Sequence, residues 1–208
     1  MFDKQYRFTG SHAEKVNALT AIFDEESKAK LFERNLDVYI NAPLIGFLYR
    51  RKGVKDTNGE ISPQNIFPEQ MINASDELKY ILRLILLLDT ENEPDESERL
   101  DKAFRHFGQD EDLALFDQYV LGGVEVLYEK LIEGAGEASE YINRLYDFME
   151  EFNDRYNDQS SREDIMFLPK AVDFILCYPF LDFEEKSLSI FFIFDFLLFT
   201  IGVKNHVI

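Results

Sequence analysis

Apolar residues recur at helical spacing along almost the whole chain, and this periodicity constrains the fold more than any other feature. After Ser11, for example, Val16, Leu19, Ile22 and Phe23 fall on one helical face. No two segments show the strict alternation of apolar and polar residues that a half-buried hairpin requires. The sequence therefore predicts an all-α fold, a globular array of about eight or nine helices.

Start and stop signals place these helices along the chain. Ser11 and Glu14 have the spacing of a capping box at the start of the first helix. A second helix is predicted over about 31–51, where Pro43 either kinks it or splits it. A long helix over about 112–133 contains Gly122-Gly123, a pair that either bends it or lets another helix approach closely. Further helices are predicted from Ser75, from Glu96, from Ser139 and through Phe174.

The C-terminal segment is the most apolar part of the chain. Leu188–Val203 spans sixteen residues with Asp195 near its centre, whereas a membrane-spanning helix needs about 20 apolar residues. Because Ile190–Phe199 also has the composition of a strand but lacks a strand partner, we expect a buried Phe-rich helix instead. The prediction is a single helical domain over 1–208 with no membrane segment. A sub-boundary near 53–62 would separate a near-neutral N-terminal helical pair from an acidic helical body.

Charge is divided unevenly between the two parts of the sequence. Residues 1–60 hold ten Lys and Arg against nine Asp and Glu, whereas 61–208 hold twelve against thirty-one. The formal net charge is −18, which disfavours indiscriminate binding to nucleic acid. The lone Cys177 excludes an internal disulfide, and the N-terminus lacks the apolar region of a signal peptide. These features favour a cytoplasmic location.

One short basic stretch stands out against the acidic remainder. It comprises Tyr49, Arg50, Arg51, Lys52 and Lys55, and residues 49–55 are called the basic segment below. One interpretation makes Arg50, Arg51 and Lys52 the last turn of a helix, where cations complement the helix dipole. The other makes the five residues a partner-binding patch, because Arg and Tyr are enriched at interface hot spots and Arg clusters bind phosphates and carboxylates.

Motifs for familiar chemistry are missing from the sequence. The three histidines, His12, His106 and His206, are far apart and form no metal-binding pattern, and Asp89–Asp95 lacks the Gly and Glu of a calcium loop. There is no phosphate-binding glycine loop and no nucleophile motif, and Cys177 lies in an apolar setting. No catalytic residue, metal site or cofactor is therefore predicted, which favours a non-enzymatic role.

Three functions remain open on the sequence alone. The first is a helical, non-catalytic accessory subunit that binds a protein partner within a larger cytoplasmic assembly. In the most specific version of this hypothesis, the assembly handles nucleic acid. The second is an acidic regulator that mimics nucleic acid and occupies the basic groove of a DNA- or RNA-binding enzyme, since 61–208 is strongly acidic. The third is a carboxylate- or metal-dependent enzyme without a readable motif. Homo-oligomerisation is left open.

Overall fold

Helices dominate the structure, a computed structural model that describes residues 1–57 and 61–157. The described part contains seven helices, fewer than the eight or nine expected for the whole chain. The predicted helix through Phe174 and the Phe-rich C-terminal helix with Asp195 lie outside the described residues, as does Cys177. The helices are α1 (Gly10–Leu19), α2 (Asn35–Leu48), α3 (Pro68–Asn73), α4 (Ser75–Leu88), α5 (Glu96–Phe104), α6 (Asp110–Leu131) and α7 (Ala138–Asn157).

Four short strands correct the expectation of a purely helical fold. They are β1 (Tyr6–Phe8), β2 (Ile22–Asp24), β3 (Ala29–Lys30) and β4 (Gln64–Ile66). β1 pairs antiparallel with β4 and β2 with β3, in two separate two-stranded sheets. Strands of two or three residues are too short to show an alternating pattern, so sequence periodicity misses them.

The chain divides into two compact units, Met1–Tyr141 and Ile142–Ile208. Within the first unit, the pairing of β1 with β4 joins residues on both sides of the stretch 53–62. In the second unit the described residues belong to α7, in which the rings of Phe148 and Phe152 lie one turn apart with centroids 6.3 Å apart. The single-domain organisation of 1–208 stays a prediction.

The core of the first unit is the contact between α2 and α6, and two glycines make it possible. A Cβ on Gly46 would overlap the carbonyl oxygen of Tyr119, and a Cβ on Gly123 would overlap that of Ala42. The two helix backbones are therefore closer than any larger residue allows. Of the two predicted roles for Gly122-Gly123, close approach of another helix is the one the structure shows.

Burial explains why α2 is almost uniformly apolar. Its residues from Leu36 to Gly46 are all buried, including Pro43, and α2 runs through this proline without being split. The buried Asp37 accepts from the backbone N–H of Arg34 at 2.8 Å and pairs with the Arg34 guanidinium at 2.6 Å. This carboxylate is thus satisfied at the positive end of the helix, where a negative charge is favourable.

The start of α1 differs from the predicted capping box. The helix begins at Gly10, after Thr9, and Ser11 lies inside its first turn. The backbone N–H of Ser11 donates to Oδ2 of Asp56 at 3.2 Å, so a carboxylate distant in sequence caps the helix. Ser75 likewise lies inside α4, which has no side-chain cap.

The glycine contact gives a direct prediction for stability. Gly123→Ala should lower the free energy of unfolding by about 2 kcal/mol or more, because its Cβ meets backbone atoms that cannot yield without moving a helix. Gly136→Ala is the matched control, since its Cβ would meet only the side chain of Glu140 at an ordinary 3.7 Å. Chemical denaturation measures both, and equal stability of the two variants would contradict the close packing of α2 on α6.

Candidate functional site

The basic segment begins where α2 ends, not in its last turn. The helix ends at Leu48, which corrects the expectation that Arg50, Arg51 and Lys52 form its final turn. Arg50 has a left-handed backbone with φ of 53°. Its N–H donates to the Phe47 carbonyl at 3.0 Å, and that of Arg51 donates to the Gly46 carbonyl at 2.8 Å. These two bonds form a Schellman motif with arginine at the position that glycine usually occupies.

Backbone contacts fix the course of the chain after this motif. The N–H of Gly53 donates to the carbonyl oxygen of Gln118 in α6 at 2.8 Å. Gly122 makes room for the carbonyl of Arg51, since a Cβ there would overlap that oxygen. Further along, Asp56 accepts from the Thr9 hydroxyl at 2.5 Å and from the Ser11 N–H at 3.2 Å. The basic segment is therefore held at its start and middle, with a third attachment just beyond it.

Arg51 is the residue of the basic segment that forms ion pairs with α6. Its guanidinium donates to both carboxylate oxygens of Glu129, at 3.1 and 3.3 Å, and lies 3.6 Å from Glu125. A bidentate ion pair of this kind fixes both the plane and the position of the guanidinium group. Tyr49 is half-buried, and Nζ of Lys130 in α6 lies 6.0 Å from its ring centroid. These two residues connect the basic segment to α6.

Arg50, Lys52 and Lys55 are exposed, and Val54 stands among them. Val54 is 82% exposed, the largest exposure of any big apolar residue in the part of the chain that the structure describes. Arg50 pairs with Glu91 at 2.8 Å, although both side chains are mostly in solvent. Lys52 and Lys55 form no ion pair with any described residue, and the ammonium of Lys52 lies 5.1 Å from the ring centroid of Tyr119.

A buried histidine lies at the base of the same region. His12 is only 2% exposed, and its Nε2 lies 3.2 Å from Oε1 of Glu125, the carboxylate that also faces Arg51. Its Nδ1 is buried without a hydrogen-bond partner among the described residues. Burial lowers the pKa of His12, the charge of Lys15 lowers this pKa further, and the carboxylates of Glu125 and Asp56 oppose the shift. The imidazole is therefore neutral near pH 7.

Two phenol–carboxylate pairs, one buried and one partly buried, involve residues of α6 near this region. The Tyr119 hydroxyl donates to Oδ2 of Asp89 at 2.6 Å, and the Tyr6 hydroxyl donates to Asp117. Burial raises the pKa of Tyr6 and of Tyr119, and the neighbouring carboxylates add to the shift. Both phenols are therefore protonated donors that tie elements together. Asp89 is buried and bonded.

Sequence reasoning found the basic segment but missed the residues that position it. Asp56, His12 and Glu125 are separated by up to 113 positions, and nothing in their local patterns marks them as neighbours. Val54 was also missed, since a single valine beside a glycine carries no signal of exposure. The neighbourhood of Asp56 offered one hint, because a short carboxylate in a Gly- and Asn-containing loop is suited to bonding backbone amides.

Metal and membrane chemistry find no support in the described residues. Within 1–57 and 61–157, no three His, Cys, Asp or Glu side chains are grouped so as to hold a metal ion. None of the helices described there has the length and apolar character needed to cross a bilayer. The sequence matches no protein-family model, no curated protein and no solved structure. The basic segment is therefore the feature of the described residues that bears most directly on function.

The left-handed conformation of Arg50 is testable by substitution. Arg50→Gly should leave the free energy of unfolding within about 0.5 kcal/mol of the wild type, because relief of left-handed strain offsets the greater freedom of unfolded glycine. Arg50→Val should lose at least about 1 kcal/mol, since a β-branched residue is strongly disfavoured at positive φ. Urea denaturation separates the two variants, and equal losses would show that residue 50 is not left-handed.

Burial of a neutral His12 predicts a dependence of stability on pH. Because burial lowers the folded-state pKa below the ordinary 6.5, the unfolded chain binds the proton first as pH falls. The stability that His12 contributes is complete above about pH 6.5 and declines below it, by at most about 1.4 kcal/mol per pH unit. Urea denaturation gives the free energy of unfolding of wild type and of His12→Gln. The wild-type value minus the variant value should decrease as pH falls from 7.5 to 5.5. A difference that is constant with pH would contradict a buried neutral imidazole.

Proposed function

We propose that this protein is a non-catalytic interaction subunit that binds an acidic surface of a protein partner through its basic segment. The observation that carries the proposal is the placement of Val54, 82% exposed and adjacent to Lys55, in a stretch whose backbone is bonded to α6 and α1. An exposed apolar side chain with cations on either side offers both buried area and charge to an acidic, partly apolar surface.

Preorganisation is what distinguishes this stretch from an ordinary exposed loop. Binding a flexible loop loses affinity to the ordering of its backbone and side chains. Here the Gly53 N–H is already bonded to Gln118, and the Asp56 carboxylate is bonded to the first turn of α1. Arg51 adds a two-pronged bond to Glu129. Little further ordering of the main chain is needed when a partner docks.

Arg50 supports the same assignment from a different direction. Glycine would fit its left-handed backbone without strain, and its exposed pair with Glu91 contributes only about 0–1 kcal/mol. Neither the fold nor this ion pair therefore requires an arginine at position 50. Residues kept in strained backbone conformations occur often at binding sites. A guanidinium that can exchange Glu91 for a partner's carboxylate gives the residue a role.

The hydrogen bonds and the burial of the acidic residues favour this function over mimicry of nucleic acid. Several acids between 89 and 117 have local roles and are not displayed as a regular array. Asp95 accepts from backbone N–H groups at the start of α5, Asp112 accepts from the Gln109 N–H before α6, and Asp89 is buried. The cytoplasmic location and the association with a nucleic-acid-handling assembly remain parts of the proposal.

Capture from native extract tests the proposal. Tagged wild type should retain a stoichiometric protein partner that survives nuclease treatment. Lys52→Glu with Lys55→Glu should reduce that capture about tenfold or more at moderate salt, because two cations facing an acidic surface become two anions. Circular dichroism and thermal melting should remain those of the wild type, since both side chains are exposed.

The matched control carries the same change of charge elsewhere. Lys4 and Lys28 are both exposed, and replacing them with Glu changes the net charge by the same amount. Capture by this control should be close to that of the wild type. Equal capture by both double variants would rule out the basic segment as the docking surface. Recovery of a nucleic-acid enzyme whose binding disappears at moderate salt would favour the mimic instead.

A further inference from the structure

Helix α5 carries a second candidate docking surface. It suits a cationic partner, whereas the basic segment suits an acidic one. Leu100 and Phe104 lie one turn apart on the same side of this helix, 46% and 50% exposed. The inward side of α5 is formed by Ala103 and Arg99, which are buried. We infer that the pair Leu100–Phe104, called the α5 face below, binds a cationic amphipathic helix of a partner protein.

The α5 face is rigidly supported from beneath. The buried Arg99 guanidinium donates to the carbonyl oxygens of Leu87, Glu93 and Pro94 at 2.8–3.0 Å, which fixes α5 to the end of α4. Arg83 donates to the Ala103 carbonyl at 3.0 Å, and its guanidinium lies 5.8 Å from the ring centroid of Phe104. Phe104 is thus a prepositioned aromatic anchor of the kind that dominates binding energy at interfaces.

Charge identifies the chemistry of the occupant. The stretch 89–117 contains eleven Asp and Glu against three Lys and Arg, and of these Asp89, Asp112 and Arg99 are buried, so nine acids and two bases remain at or near the surface. Glu96 is exposed one turn before Leu100, so an acid, a leucine and a phenylalanine follow one another along the same side of the helix. An apolar pair in this setting complements a helix that carries leucine-like residues on one face and Lys or Arg beside them.

The same charges exclude a second copy of this chain as the occupant. Two α5 faces in contact would bring together two segments with a net charge of −8 each, and like charges across an interface are strongly disfavoured. A cationic helix has no such cost, because its charges meet acids that are already in place. This inference is independent of the proposed function, since it concerns other residues and a partner of opposite charge.

Binding of a designed peptide tests the inference on the full-length protein. The probe is a fluorescently labelled amphipathic helix of Leu, Lys and Ala, and the reference is a peptide of the same composition with its apolar face scrambled. Fluorescence anisotropy at moderate salt should show at least about tenfold tighter binding of the amphipathic peptide. Equal binding of the two peptides would overturn the inference, because attraction by net charge alone would then explain it.

Two pairs of variants locate the peptide on the protein. Leu100→Ser with Phe104→Ser should weaken binding about tenfold, whereas Phe67→Ser with Ile72→Ser should not. The control pair is equally exposed, at 57% and 54%, but its members are five positions apart. Glu96→Lys, which leaves the apolar pair intact, should weaken binding more than Glu98→Lys on the same helix. Unchanged binding in the first double variant, or equal effects of the two Glu substitutions, would overturn the inference.

Discussion

The close contact between α2 and α6 is the interaction on which the rest of the first unit depends. Gly123 admits the backbone of α2 at Ala42, while its neighbour Gly122 admits the backbone of Arg51. One pair of glycines in α6 therefore positions both the central helix and the segment that follows it. Close packing of the core and presentation of the basic segment are two results of the same small residues.

A network of polar and charged side chains extends this arrangement to the surface. Glu125 of α6 faces both His12 of α1 and Arg51, and Glu129 one turn later holds the same guanidinium. Because this network connects α1, α6 and the basic segment, it adds to the backbone bonds that fix the course of the segment. The basic segment exposes Val54 with cations on either side, and these side chains are available for contact. The scaffold and the contact residues are separate sets.

Sequence reasoning recovered the helices well and the tertiary relations poorly. Helical periodicity located α5 and α6 to within about two residues, and close approach of another helix was one of the two roles predicted for the glycine pair. The two strand pairs were missed because three residues hold too little periodicity. Asp56 capping α1 and Glu125 facing His12 are contacts between distant positions, and a single sequence carries no signal for them. The basic segment was found from charge alone, whereas the inward role of Arg51 required the fold.

Site-specific photo-cross-linking from position 54 in native extract tests the central claim most directly. A photoreactive residue there would lie at the most exposed apolar point of the proposed docking surface, and the same residue at Ile22, which is 40% exposed, serves as the reference. The account predicts one discrete protein adduct from position 54 that is absent from position 22. No adduct from position 54, or the same adducts from both positions, would contradict it.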